Sequence, residues 1–130
     1  QGAERVPGSR RADYYPRGRG DGAGLAMEIV RLDIAGTFFT WDLAKAEANL
    51  RKHGVSFEAA AHAFFDPMFL ISNDPHPDGD RVRLIGFSDA AESVLFVVYA
   101  ERVIMEDVMT YRIISARKAV GKEREMYDER

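Results

Sequence analysis

Residues 93–115, SVLFVVYAERVIMEDVMTYRIIS, decide the fold. Ser93–Glu101 is the most hydrophobic strand-forming run of the chain and belongs at the centre of a sheet. Met105–Val108, around Glu106-Asp107, is polar enough to turn the chain, and Met109–Ser115 returns as a second strand. Ile113 and Ile114 are adjacent and both apolar, so both faces of the returning strand are at least partly covered.

Upstream, Arg81/Val82/Arg83/Leu84 alternates as a strand with one wet face, and Ser88–Glu92 turns it into the central run. Asn73–Asp80, with two prolines and a glycine, reads as loop, and Met68–Ser72 before it as a short strand. Two helices come earlier still. The first has Asp42 as N-cap, an apolar stripe of Leu43, Ala46 and Leu50, and Gly54 as left-handed stop. Arg51, Lys52 and His53 crowd the negative end of its dipole. The second is capped by Ser56, carries Phe57, Ala60, Ala61, Phe64 and Phe65 at helical spacing, and ends at Asp66-Pro67. Glu28–Asp33 and Thr37–Trp41 are β-rich, and one or both form a first strand. Ala116–Glu129 is charged and helix-forming. The expected class is α+β, with helices segregated from an antiparallel sheet of four to five strands.

Residues 1–26 are rich in Gly, Arg and Pro without periodicity and are expected to be a flexible leader; residues 27–130 form one domain. The leader has five Arg against Glu4, Asp13 and Asp21, hence +2 of the net −3, which leaves −5 on the body. Cations within that acidic body cluster at Arg51, Lys52 and His53 and again at Arg112, Arg117, Lys118, Lys122 and Arg124. The chain has no cysteine, which excludes disulfides, thiolate metal sites and a cysteine nucleophile and suits a cytoplasmic protein. Apolar runs such as Val94–Ala100 are too short to span a bilayer.

Standard catalytic motifs are missing: there is no GxSxG, no phosphate-binding GxxxxGK[ST], no HExxH and no GxGxxG. His53, His62 and His76 fall in different elements, and no metal set is expected. The arginines near the end of the chain stand out. A sheet face bearing Arg102, Arg112 and Arg117 can hold a phosphate and stabilise charge that develops on it. The competing reading is structural: Arg112 and Arg117 pair with Glu101, Glu123 or Glu125, His53 serves the helix dipole, and Trp41 is a core aromatic.

The string Phe39-Thr40-Trp41-Asp42, then Lys45, then Asn49–Ala60 (NLRKHGVSFEAA), then Phe65-Asp66-Pro67, resembles the BrnT family of type II toxins. Arg83-Leu84-Ile85-Gly86, Val97-Val98-Tyr99 with Glu101-Arg102, and Arg112–Ala119 (RIISARKA) with Glu123, Arg124 and Tyr127 match in the same order, so the resemblance covers about residues 37–127. It implies a RelE-like fold and a metal-independent endoribonuclease without cofactor. It also implies a BrnA-like antitoxin that wraps the toxin and joins it on promoter DNA, so DNA is met only through that complex. On matching positions it implies phosphate binding and catalysis by Arg102, Arg112 and Arg117, with His53 in proton transfer or RNA contact. Lys45, Arg51, Lys52, Lys118 and Trp41 are the implied RNA contacts. The chain departs from the family at Ala100, where Thr is frequent, and over the long hydrophobic segment Val103–Tyr111. A non-catalytic binding module acting through the antitoxin is the alternative.

Overall fold

The structure, a computed structural model, describes residues 13–17, 27–74, 80–104 and 107–130. In chain order these form β1 (Asp13–Arg17), β2 (Met27–Ile34), β3 (Thr37–Asp42), α1 (Leu43–His53) and α2 (Phe57–His62), the last extended by a 3-10 turn at Ala63–Phe65. There follow β4 (Leu70–Asp74), β5 (Arg81–Ser88), β6 (Ser93–Ile104), β7 (Val108–Lys118) and α3 (Lys122–Glu129). The strands make one seven-stranded sheet in the order β1-β2-β3-β7-β6-β5-β4.

Local chemistry sets the boundaries. Ala35 and Gly36 both take positive φ (51° and 88°), the twist that closes a tight β-hairpin, and the Gly36 N–H donates to the Asp33 carboxylate at 2.8 Å. The Asp42 carboxylate accepts from the N–H groups of Ala44 (2.9 Å) and Lys45 (3.2 Å), and Gly54 ends α1 at φ 73°. Ser56 Oγ accepts from the Ala59 N–H at 3.0 Å and starts α2. Gly86 lets the turn after α2 approach β5, since a Cβ there would stand 2.7 Å from the Ala63 carbonyl oxygen.

Both helices pack on one face of the sheet. Val30, Leu32, Phe39, Trp41, Leu84, Leu95, Val97, Tyr99 and Ile113 bury against Phe57, Ala60, Ala61 and Ala63. Phe39, Phe64, Tyr99 and Tyr111 form an aromatic cluster with ring centroids 4.8–5.9 Å apart. On the opposite face a smaller cluster of Ile85, Val94 and Ala119 packs with Leu70, Phe96 and Tyr127 of α3. There the Tyr127 hydroxyl donates to Asp66 at 2.6 Å.

The α+β class and the C-terminal helix match expectation, and the details of the sheet and of the helices are corrected. The sheet is mixed, because β3 pairs β7 in parallel, and it has seven strands among the described residues rather than four or five. The two N-terminal helices follow two strands, Met27–Ile34 and Thr37–Asp42, which pair as a β-hairpin where one or both stretches were expected to form a first strand. Residues 116–118 continue β7, and α3 begins only at Lys122, because Gly121 (φ 55°) breaks the expected long helix. Asp13–Arg17, within the expected leader, pairs antiparallel with Met27–Arg31. His76 lies outside the described residues. No helix among them is long and apolar enough to cross a membrane.

Candidate functional site

Register places the arginines. On β6 and β7, Arg102 stands opposite Thr110, Ala100 opposite Arg112, and Phe96 opposite Arg117. On β5, Arg83 stands opposite Val98, with Arg81 two residues before it. Alternation therefore puts Arg81, Arg83, Arg102, Arg112 and Arg117 on one face, turned away from α1 and α2. Strict alternation within β7 alone would send Arg112 and Arg117 to opposite faces. A β-bulge between Val98 and Tyr99 leaves Ile114 without a partner and restores the phase.

One end of this face opens into a cleft of about 370 Å³ lined by Asp42, Lys45, Asp80, Arg81, Arg102, Arg112, Ile113 and Ile114. Lys45 comes from the first turn of α1, and Asp42 is the cap of that helix. Arg102 donates to Asp80 at 3.0 Å and to the Glu101 carbonyl at 3.1 Å, in an ion pair about half exposed on both sides. The side chains of Lys45 and Arg112 have no hydrogen-bond or ion-pair partner among the described residues. Two cations thus meet in the cleft without a bound carboxylate, an arrangement suited to an anion. Ala100, fully buried opposite Arg112, is small enough to leave the arginine room.

Arg117 is differently placed. Its two terminal nitrogens donate to both Glu123 oxygens at 2.9 and 2.6 Å, and its guanidinium carbon lies 4.5 Å from the Phe96 ring centroid. The Glu123 hydrogen bonds raise the Arg117 pKa. In return the Arg117 bonds, helped by the Val120 N–H and the Arg83 charge, hold Glu123 below the usual carboxylate range against the effect of its burial. The structural pairing expected for both arginines applies to Arg117 and not, among the described residues, to Arg112.

Of the other candidate residues, Lys45 lines the cleft and several do not. Arg51, Lys52 and His53 are exposed at the far end of α1, and His53 is about 12 Å along the helix from Lys45 at 1.5 Å per residue. Lys118 is exposed at the end of β7 and lies outside the cleft lining. Trp41 is 1 % exposed and packs edge to face on Phe57, centroids 5.9 Å apart, which agrees with its reading as a core aromatic and not with an RNA contact. Arg81, Arg83 and Asp80 belong to the face although sequence reasoning passed over them. Their signal was the wet face of the Arg81/Val82/Arg83/Leu84 alternation. Among the described residues no three His, Asp or Glu side chains cluster to hold a metal ion.

With this geometry in hand, the family model described as "Ribonuclease toxin, BrnT, of type II toxin-antitoxin system" matches residues 41–123. That stretch runs from the end of β3 into α3 and includes every residue that lines the cleft. No curated protein matches the chain.

Proposed function

The chain belongs to the BrnT family of ribonuclease toxins of type II toxin–antitoxin systems, and from that membership we propose that it cleaves RNA without a metal at the arginine-lined cleft. The observation that carries this reading is the meeting of Lys45 and Arg112, uncompensated among the described residues, with Arg81 and Arg102 around one cleft. Four side-chain cations there supply the charge stabilisation that a metal would otherwise bring.

In the proposed reaction the RNA 2′-oxygen attacks the adjacent phosphorus and the bond from phosphorus to the 5′-oxygen breaks. The products are a 2′,3′-cyclic phosphate and a free 5′-hydroxyl. Arg112 and Arg102 grip the non-bridging oxygens as planar forks, and Arg102 exchanges Asp80 for phosphate. Lys45, which lines the cleft, protonates the departing 5′-oxygen, and Asp80 or Asp42, the carboxylates of the same lining, takes the 2′ proton. His53 stands too far along α1 to share this step. Cleavage of cellular RNA by this route inhibits translation in the cytoplasm, and a BrnA-like antitoxin restrains it and carries the complex to promoter DNA.

Incubation of the purified chain with RNA in EDTA tests the proposal. Fragments ending in 2′,3′-cyclic phosphate are the expected result, together with arrested growth when the chain is expressed without its antitoxin. Intact RNA with folded protein would instead favour the non-catalytic binding module.

A further inference from the structure

We infer that Asn49 is the positioning residue of the cleft: by tying α1 to β7 it holds Lys45 and Arg112 at a fixed spacing, so that both bear on one phosphate. This rests on the functional reading of the cleft given above.

The sheet itself creates the need. Pairing between β3 and β7 ends at Thr40 opposite Arg112, because β3 gives way to α1 at Leu43. Among the described residues β7 runs on to Lys118 without a strand on that side, leaving the backbone of Ala116 to be satisfied by something else. Asn49 does this. Its Oδ1 accepts from the Ala116 N–H at 3.2 Å, and its Nδ2 donates to the Ala116 carbonyl at 2.7 Å and to the Val55 carbonyl at 3.1 Å. The residue is 8 % exposed, so these bonds form away from water, where an unmet partner is costly.

The placement of the tie gives it a functional meaning. Lys45 is four residues before Asn49, on the same side of α1, and Arg112 is four residues before Ala116 on β7. The bulged Ile114 falls between Arg112 and Ala116 and itself lines the cleft. The Asn49–Ala116 tie therefore lies one helical turn along α1 from Lys45 and four residues along β7 from Arg112, and it fixes the spacing across which both line the cleft. An apolar side chain would pack in the same place but leave Ala116 unbonded and the angle of α1 unspecified.

The test is a double-mutant cycle read by affinity for a 2′-O-methyl RNA oligonucleotide that cannot be cut. In the otherwise unchanged chain, K45A is expected to weaken binding about fivefold, as for loss of one exposed cation from a phosphate contact. In the N49A background the same change is expected to alter binding less than twofold. N49Q keeps the amide but lengthens the arm, and is expected to fold and still lose the coupling. S88A is the control: Ser88 is fully buried and bonds the Ala59 carbonyl (2.7 Å) and the Ala91 N–H (3.1 Å) away from the cleft, so the coupling should survive its loss of stability. For cleavable RNA, N49Q should lower kcat about tenfold with a smaller change in KM. Equal K45A effects in the normal, N49A and N49Q backgrounds would overturn the inference. A chain that binds the oligonucleotide but leaves cleavable RNA intact refutes the ribonuclease reading alone, and the coupling still decides Asn49.

Discussion

Arg112 and Arg117 are five residues apart on one strand yet share a face of the sheet, because the bulge at Ile114 places them opposite Ala100 and Phe96, four residues apart on β6. The bulge does not make them equivalent. Arg112 opens into the cleft with no partner among the described residues, while Arg117 is forked onto Glu123 beneath α3.

The two arginines should therefore separate under mutation. Arg112→Ala is expected to cut RNA cleavage about a hundredfold, as for loss of one preorganised charge donor, and to move the melting temperature by no more than about 2 °C. Arg117→Ala breaks a pair that fastens α3 and should cost about 1 kcal/mol of stability, or about 4 °C. Parallel melting and cleavage assays on both variants check this. Equal melting losses would remove the distinction.

Glu123 supplies a pH dependence whose sign is fixed. Because Arg117 depresses its pKa in the folded chain, Glu123 contributes stability above the ordinary carboxylate range and loses it as pH falls through its lowered folded value. The difference in melting temperature between the natural chain and Glu123→Gln should be present at pH 7 and shrink by pH 3. A gap of the same size at both pH values would show that Glu123 acts through packing.

Trp41 is expected to matter for folding alone. Trp41→Ala should destabilise the domain by about 3–5 kcal/mol, the usual cost of removing a buried aromatic. Trp41 is also the single tryptophan of the chain, so its fluorescence reports on it directly. Emission should be blue-shifted and unquenched by RNA; strong quenching on RNA binding would put the indole back at the interface.

Much of this was legible in the sequence because local chemistry settles it. Asp42, Gly54 and Ser56 announce the ends of α1 and α2 through their capping preferences, and the apolar run 93–101 announces the central strand. What was illegible depends on contacts between distant segments. The parallel pairing of β3 with β7 joins residues about seventy apart and leaves no local mark. The bulge at Ile114 cannot be read from a strand that alternates imperfectly, and strict alternation would set Arg112 and Arg117 on opposite faces. Arg117 and Glu123 are six residues apart across a strand end, and neither periodicity nor spacing selects Glu123 over Glu101 or Glu125. Asn49 sits in a helix whose sequence reads as ordinary and amphipathic, and its partner Ala116 is 67 residues away.

Residues 27–130 should fold alone, since β2 keeps β3 as a partner when β1 is absent. Deletion of residues 1–26 is expected to change the melting temperature by less than about 4 °C, the equivalent of about 1 kcal/mol. A larger fall would mean that β1 is an integral strand of the domain.

The central claim is that the Arg112 fork grips the scissile phosphate, and Arg112→Lys tests it most directly. Lysine keeps the charge and loses the planar pair of donors. Cleavage of RNA in EDTA by the folded variant should fall at least tenfold, between the natural chain and Arg112→Ala, with the melting temperature unchanged. Cleavage by Arg112→Lys at the natural rate would contradict the account, because a point charge at that position would then be enough and the geometry of the cleft would have no part in the reaction.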